Sequence, residues 1–278
     1  MIGTVRTAAV AGSWYPGTAP AIAAEVDRYL EAVGEVTAPG RLIALVSPHA
    51  GLRYSGPVAA YGYGLLRDRS PLTVVLVGPS HRAAFEGVAV HAHGAWETPL
   101  GQAPVDEPLA ETLLGAGSGL FEDAVVHRDE HSLEMQMPFL QRLVPELRVV
   151  PAMMGTQSRP EVDALAAALA KALAGREDAV MVASSDLSHF HPADVANRED
   201  AVAVEQVGRF DVDALMRRLE KHHNVACGGG PIVAVMKAAR ALGANRATVL
   251  KYADSGDVED GDKGRVVGYL SAALTAAS

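Results

Sequence analysis

The sequence predicts an α/β fold, a single three-layer α/β/α domain with helices on both faces of a mostly parallel, mixed central sheet. Three observations carry this reading. Short continuous apolar runs at 42–46 (LIALV), 73–77 (TVVLV) and 179–183 (AVMVA) have the pattern of strands buried on both faces. Amphipathic segments at helical spacing lie between such runs, the alternation that builds parallel sheets. No Pro/Ser-rich linker, internal repeat or charged block divides the chain, so 1–278 is read as one domain of a length that large α/β folds reach undivided.

The elements follow in order. Ile22, Val26, Tyr29, Leu30 and Val33 recur at helical spacing after Pro20. The strand at 42–46 is bounded by Gly40 and Pro48, a helix is expected over 57–66, and the strand at 73–77 stops at Gly78-Pro79. A third strand is expected over 87–93. Segments 106–114 and 131–143 read as helices, the second kinked or divided by Pro138. Strand 147–153 precedes an Ala-rich helix over 161–173 that ends near Gly175, then the strand at 179–183. Helices are expected around 201–207, 212–221 and 231–242, the last with Pro231 in its first turn. Strands at 248–252 and 266–270 close the chain, joined through a polar, Gly-rich stretch at 254–263 that reads as a loop or hairpin.

Composition narrows the function classes. Hydrophobic residues at 49% and charged residues at 21% exclude a disordered chain. A net charge of −9 argues against nucleic acid as a partner, because phosphate binding needs a basic surface. The single cysteine, Cys227, rules out an intramolecular disulfide framework and fits a reducing cytoplasm. Neither a signal peptide nor an apolar run of about 20 residues is apparent, so no membrane is expected.

Chemistry collects at strand ends. The strand at 42–46 runs into Ser47-Pro48-His49-Ala50-Gly51, that at 73–77 into Gly78-Pro79-Ser80-His81, and that at 179–183 into Ser184-Ser185-Asp186-Leu187-Ser188-His189. Ligands of open α/β sheets bind outside the carboxyl ends of the strands, so these groups are expected around one crevice. Cys227 opens Cys227-Gly228-Gly229-Gly230-Pro231 just before a helix, where amides and dipole favour a thiolate. A thiolate with two neutral imidazoles can hold zinc, iron or copper. The same turn can instead hold a phosphate or carboxylate through its amides.

Other residues have plainer readings beside the functional one. His91 and His93 share a face of the expected third strand, which solvent ordinarily covers. His222 and His223 sit at a helix end, and His191 reads as a loop residue. Glu130-His131 falls at a helix start, where capping competes with a site role. Trp14 and Tyr54 are either core or the walls of a substrate pocket.

At these motifs the sequence resembles the Memo family, in particular its bacterial and archaeal members. The matching stretches are Ala11-Gly12-Ser13-Trp14-Tyr15-Pro16, Ser47-Pro48-His49-Ala50-Gly51 with Tyr54-Ser55-Gly56, and Gly78-Pro79-Ser80-His81. Further matches are Trp96-Glu97-Thr98-Pro99-Leu100-Gly101, Glu130-His131-Ser132-Leu133-Glu134, Ser184-Ser185-Asp186-Leu187-Ser188-His189, and Cys227-Gly228 with Pro231-Ile232. The resemblance implies a fold similar to class III extradiol dioxygenases, in which two His and a carboxylate hold ferrous iron. It implies a metal set of His49, His81 and Cys227, with Asp186 and His189 lining the pocket. His131 joins those two as an expected catalytic residue. The implied cofactor is Fe(II) or Cu, with Zn a further possibility, and the implied activity is redox. A functional link to radical-SAM and AMMECR-type proteins also follows, whereas animal relatives are tied to phosphotyrosine-peptide binding. A Cys in place of the carboxylate is softer and itself oxidisable, so ring-cleaving chemistry does not transfer with the fold.

Three functions compete. The first is a redox metalloenzyme acting on a small-molecule or peptide ligand. The second is a non-enzymatic module whose pocket captures a phosphorylated or acidic peptide. The third is a metal-independent hydrolase using Cys227 with a His.

Overall fold

The computed structural model describes residues 5–222 and 224–277. Strand β1 (Val5–Arg6) precedes helix α1 (Ala19–Val33), which buries the expected stripe of Ile22, Val26, Tyr29 and Leu30. Strand β2 (Arg41–Ser47) leads through α2 (Leu52–Tyr63) to β3 (Leu72–Pro79). Short strands β4 (Val88–Val90), β5 (Ala95–Thr98) and β6 (Gly101–Pro104) follow, then α3 (Glu107–Leu114) and β7 (Leu120–Glu122). Helix α4 (Met137–Leu143), β8 (Leu147–Met154), α5 (Arg159–Ala172), β9 (Ala179–Ser184) and β10 (His189–His191) come next. The chain ends with α6 (Ala193–Gly208), α7 (Val212–Lys221), α8 (Gly229–Ala241), β11 (Arg246–Asp254) and β12 (Val266–Ala276).

Nine strands form one mixed sheet in the order β10-β12-β2-β9-β3-β8-β4-β7, with β11 paired along β12. The centre, β2-β9-β3-β8, is parallel, whereas β12 joins β2 and β4 joins β8 in the antiparallel sense. Every residue of β3 is buried, as a central strand covered on both faces requires. Helices α1, α2 and α4 pack together as one layer; α3, α5 and α8 form the other, which α7 and α6 extend over β11 and β12. The molecule is a mixed α/β protein with its sheet sandwiched between helices, as the alternation of apolar runs and amphipathic segments predicts.

The differences from expectation have local causes. Helix α2 begins at Leu52 and carries Pro57 within it, so the proline does not set its start. Pro138 does not kink a long helix; it lies in the first turn of α4, where its missing N–H is harmless, and 131–136 forms tight turns instead. The expected strand over 87–93 shortens to β4, leaving His91 and His93 beyond its end. Segment 254–263 does link an antiparallel pair, β11 and β12.

Strands β1, β5 and β6 make a separate small sheet that secures the N-terminal segment. Arg6 is buried there, stacked 4.5 Å over the Trp96 ring and paired with buried Glu134. Glu134 also accepts from the Ala9 amide (2.8 Å) and the Tyr15 hydroxyl (2.6 Å). Removing one member of a buried ion pair leaves an uncompensated charge. Arg6→Ala is therefore expected to lower unfolding free energy by about 3–5 kcal/mol. Arg198→Ala, which breaks an exposed pair with Asp194, is expected to cost about 1 kcal/mol or less. Urea unfolding of the two variants checks the contrast.

Candidate metal centre

Because β2, β9 and β3 are parallel neighbours, Ser47, Ser184 and Pro79 end on the same edge of the sheet. The residues that follow each strand therefore meet, and this brings His49, Asp186 and His81 together as the sequence predicts. A fourth segment enters from the 130–132 turn and contributes His131. One nitrogen from each of His49, His81 and His131 lies within 4.8 Å of the others. Ring centroids are 5.2 Å apart for His49 and His81, 5.7 Å for His49 and His131, and 4.7 Å for His81 and His131. Trp14 walls the cluster, its ring 4.2 Å from that of His131. His49 and His131 are buried, whereas His81 opens to solvent and marks the accessible side.

Each ligand-type imidazole on a strand end has a partner behind it. The Nδ1 of His81 lies 2.9 Å from Oε1 of buried Glu130, whose other oxygen accepts the His81 amide. Glu130 Oε1 also accepts the amides of His131 and Ser132, both at 2.9 Å. Burial alone would raise the pKa of Glu130, but the His81 imidazole and these amides outweigh it and hold the group below the carboxylate range. The Nδ1 of His49 lies 2.8 Å from Ser184 Oγ. Behind a metal-binding histidine, such acceptors fix the ring and leave the outer nitrogen for the ion.

Asp186 does not point a free oxygen at the cluster through Oδ1, which accepts the amides of His49 (2.7 Å) and Ala50 (3.3 Å). Burial pushes it up to about 7, against those same amides. Cys227 sits beside Asp186: its Sγ is 3.1 Å from His49 Nε2 and accepts the Asp186 amide at 3.3 Å. Sγ is not part of the convergent set of three imidazoles. It is nonetheless close to the separation, roughly 3.5 Å, that an imidazole and a thiolate take on one tetrahedral ion. His189, on β10, lies near enough to influence both His49 and His81 electrostatically, and burial lowers its pKa. The donor set, soft sulfur with neutral imidazoles, fits a transition metal.

Two features of the Cys227 turn depart from expectation. Burial, followed by the nearby Asp186 carboxylate, raises the Cys227 thiol instead of favouring a thiolate. The helix terminus cannot compensate for the lost hydration. Nor do the turn's amides form an anion cradle. The amides of Cys227, Gly228, Gly229 and Gly230 bond Asp186 O, Ser185 Oγ, Ala226 O and Gln157 Oε1. Gly228 also packs so closely against the backbone of Ser184 that an added Cβ would lie 2.4 Å from its oxygen.

The remaining candidates scatter. Tyr54, exposed on the first turn of α2, lines a groove between α1, α2 and β11. His91 is buried and accepts from Trp96 Nε1 at 2.7 Å, so it is neither solvated nor poised with His93, which faces Glu107 and Glu122. His191 contacts Asn224, and His222 caps the end of α7 on the surface; His223 lies outside the described residues. Glu130 combines the two roles weighed against each other, bonding the amides of the next two residues and a site histidine. Ser184 and Gln136 were legible only as residues of a strand end and a helix; their role depends on contacts across the fold.

Fold and site together define an α/β/α protein with a histidine-rich centre at the carboxyl edge of its sheet. The chain belongs to the Memo-like protein family, whose profile matches residues 6–273. It is 40% identical over 283 aligned positions to a MEMO1 family protein of Ignicoccus hospitalis, covering 96% of this chain and 97% of that one. It is 36% identical to MEMO1 family proteins of Methanothermobacter thermautotrophicus, covering 95% and 98%, and Thermotoga neapolitana, covering 98% and 100%.

Two outcomes are expected of metal-free protein. With its thiol raised, Cys227 should alkylate far more slowly with iodoacetamide at pH 7.5 than a free cysteine thiol of pKa about 8.5. Mass spectrometry of the labelled protein checks this, and labelling at the rate of a model thiol would contradict it. The second concerns acid. Burial lowers His131 to about 4 and His127 to about 3, and holds His49 well below its usual value. As pH falls below about 6.5, the unfolded chain takes up protons that the folded one refuses. Stability should therefore drop between about pH 6.5 and 4, three imidazoles outweighing the opposite slope of Asp186. Urea midpoints across this range test the sign, with His131→Gln giving a shallower dependence.

Proposed function

We propose that this protein binds one transition-metal ion, iron or copper with zinc as a further candidate, and uses it in redox chemistry. His49 and His81 serve as imidazole donors and Cys227 as the third. The observation that carries this reading is the pair of strand-end imidazoles, each with Nδ1 held from behind and each facing a third imidazole. A metal bound there supplies Lewis acidity and, for iron or copper, electron transfer. The chain's own residues hold the site: Glu130 orients His81, the His49 and Ala50 amides hold Asp186, and Trp14 shields His131 from water. Asp186 and His189 stand close enough to move protons at the pocket, as expected for general acid–base groups. A reducing cytoplasm suits a lone ligand thiol. A functional link to radical-SAM and AMMECR-type proteins is proposed on the resemblance.

Non-enzymatic capture of an acidic or phosphorylated peptide is the second reading. The groove of about 1370 Å³ beside Tyr54 has room for it, but Glu25, Asp254, Asp257 and Glu259 line it together with Arg28, Arg53 and Lys251, which weighs against an acidic ligand there. Peptide binding undiminished by removal of metal would support that reading.

Metal analysis of anaerobically purified protein tests the first. Wild type is expected to hold about one ion per chain, with His49→Ala and His81→Ala losing it. The third donor follows from comparing Cys227→Ala with His131→Ala, and the reading requires the larger loss in Cys227→Ala. Full metal content in all four variants would remove the site.

A further inference from the structure

We infer that Ser184 and Gln136 are positioning residues, a buried relay that locks His49 with its proton on Nδ1 and its Nε2 lone pair facing the pocket. The purpose of that lock rests on the metal reading above; the lock itself follows from counting protons.

Two backbone carbonyls around the relay can only accept. The carbonyl of Pro48 lies 3.0 Å from Gln136 Nε2, and the carbonyl of Ser132 lies 2.6 Å from Ser184 Oγ. Facing Pro48 O, the Gln136 amide must present its NH2 group, because its own oxygen would be repelled there. The opposite contact agrees: Tyr63 donates its hydroxyl to Gln136 Oε1 at 2.5 Å. One Nε2 proton goes to Pro48 O, and the other goes to Ser184 Oγ at 2.8 Å. Ser184 has a single proton, and Ser132 O takes it. With one lone pair filled by Gln136, Ser184 Oγ has only an acceptor site left for His49 Nδ1 at 2.8 Å. His49 must therefore donate from Nδ1.

Nothing in this chain can be reversed singly. Turning Ser184 toward His49 would exchange the 2.6 Å bond to Ser132 O for a 3.5 Å contact from Gln136 Nε2, whose two protons already serve Pro48 O and Ser184 Oγ at 3.0 and 2.8 Å, and would set two protons against each other. Tyr63, Gln136, Ser184 and His49 are all 2% exposed or less, so water cannot substitute. The backbone fixes the same geometry: Ser184 lies beside Ser47 in the β2–β9 register, two residues before His49. His81 reaches the same tautomer by a different route, since a carboxylate accepts its Nδ1 proton.

The relay is tested on metal-free protein carrying 15N-labelled histidine. Two-bond 1H–15N correlations report the tautomer of each ring, and the His49 signals are assigned by their loss in His49→Gln. His49 is expected as the Nδ1–H tautomer; an Nε2–H pattern would overturn the inference. Ser184→Ala is then expected to give mixed His49 tautomers and about 10- to 100-fold weaker binding of Zn(II) alone, with His81 signals unchanged. Unchanged tautomer and Zn(II) affinity in a folded Ser184→Ala protein would also overturn it. Should that variant not fold, the wild-type tautomer decides by itself. Wild type that shows Nδ1–H on His49 yet binds no Zn(II) would sink the metal reading and leave the relay standing.

Discussion

Four N–H groups converge on the carboxylate of Glu130: the amide and imidazole of His81 and the amides of His131 and Ser132. This one side chain joins the end of β3 to a turn that arrives from a distant part of the chain. The turn is itself anchored, since Arg6 bonds the carbonyls of His127 and Glu130 and pairs with Glu134. The small N-terminal sheet thus bears on the position of His131, and the central sheet bears on that of His81. An anion buried to 1% exposure would be very costly alone. Supplied with these donors, it stays ionised and becomes the fixed charge around which the pocket is assembled.

How much of this was legible in the sequence depended on how local the cause was. Runs such as 73–77 identify a central strand because burial on both faces excludes polar residues, and a parallel sheet then forces the strand ends together. His49, His81 and Asp186 could be placed in one crevice on that argument alone. His131 was legible as a motif member but not as part of the convergent set, because its position comes from a turn outside the parallel layer. Short strands β1, β5, β6, β7 and β10 have too few residues for a period of two to stand out. Pro57 and Pro138 misled for opposite reasons. A packed helix absorbed the first, and the second sits where a helix start tolerates it.

Cys227 shows where a local rule meets a stronger one. A helix N-terminus favours a thiolate by a modest amount, typically about 0.3–1 kcal/mol per charge. Loss of hydration acts in the other direction and is larger for a buried group, with the Asp186 carboxylate adding to it. The sequence displays the helix terminus and conceals the burial, so the thiol reads as reactive until its surroundings are known. The Gly-rich turn repeats the lesson: its glycines permit close packing on Ser184, and that packing occupies the amides an anion would need.

The two strand-end imidazoles differ in the charge behind them, and that asymmetry has consequences for the pocket. His81 is backed by an anion, whereas His49 is backed by a neutral hydroxyl within a relay of neutral groups. The arrangement matches solvent access. His81 lies on the open side, where its partner's charge is partly screened, whereas His49 is buried, where a second carboxylate would add a further desolvation cost. Burial meanwhile keeps the inner groups uncharged in the absence of an ion, with His49 and His131 as neutral imidazoles and Cys227 as a thiol. A dication would enter a pocket in which the Glu130 carboxylate stands behind the solvent-facing ligand and Asp186, its carboxyl pushed up to about 7 by burial, stands behind the inner one. Its attraction to the site therefore begins at His81, and the weakly charged inner half admits it only by adjusting to its charge.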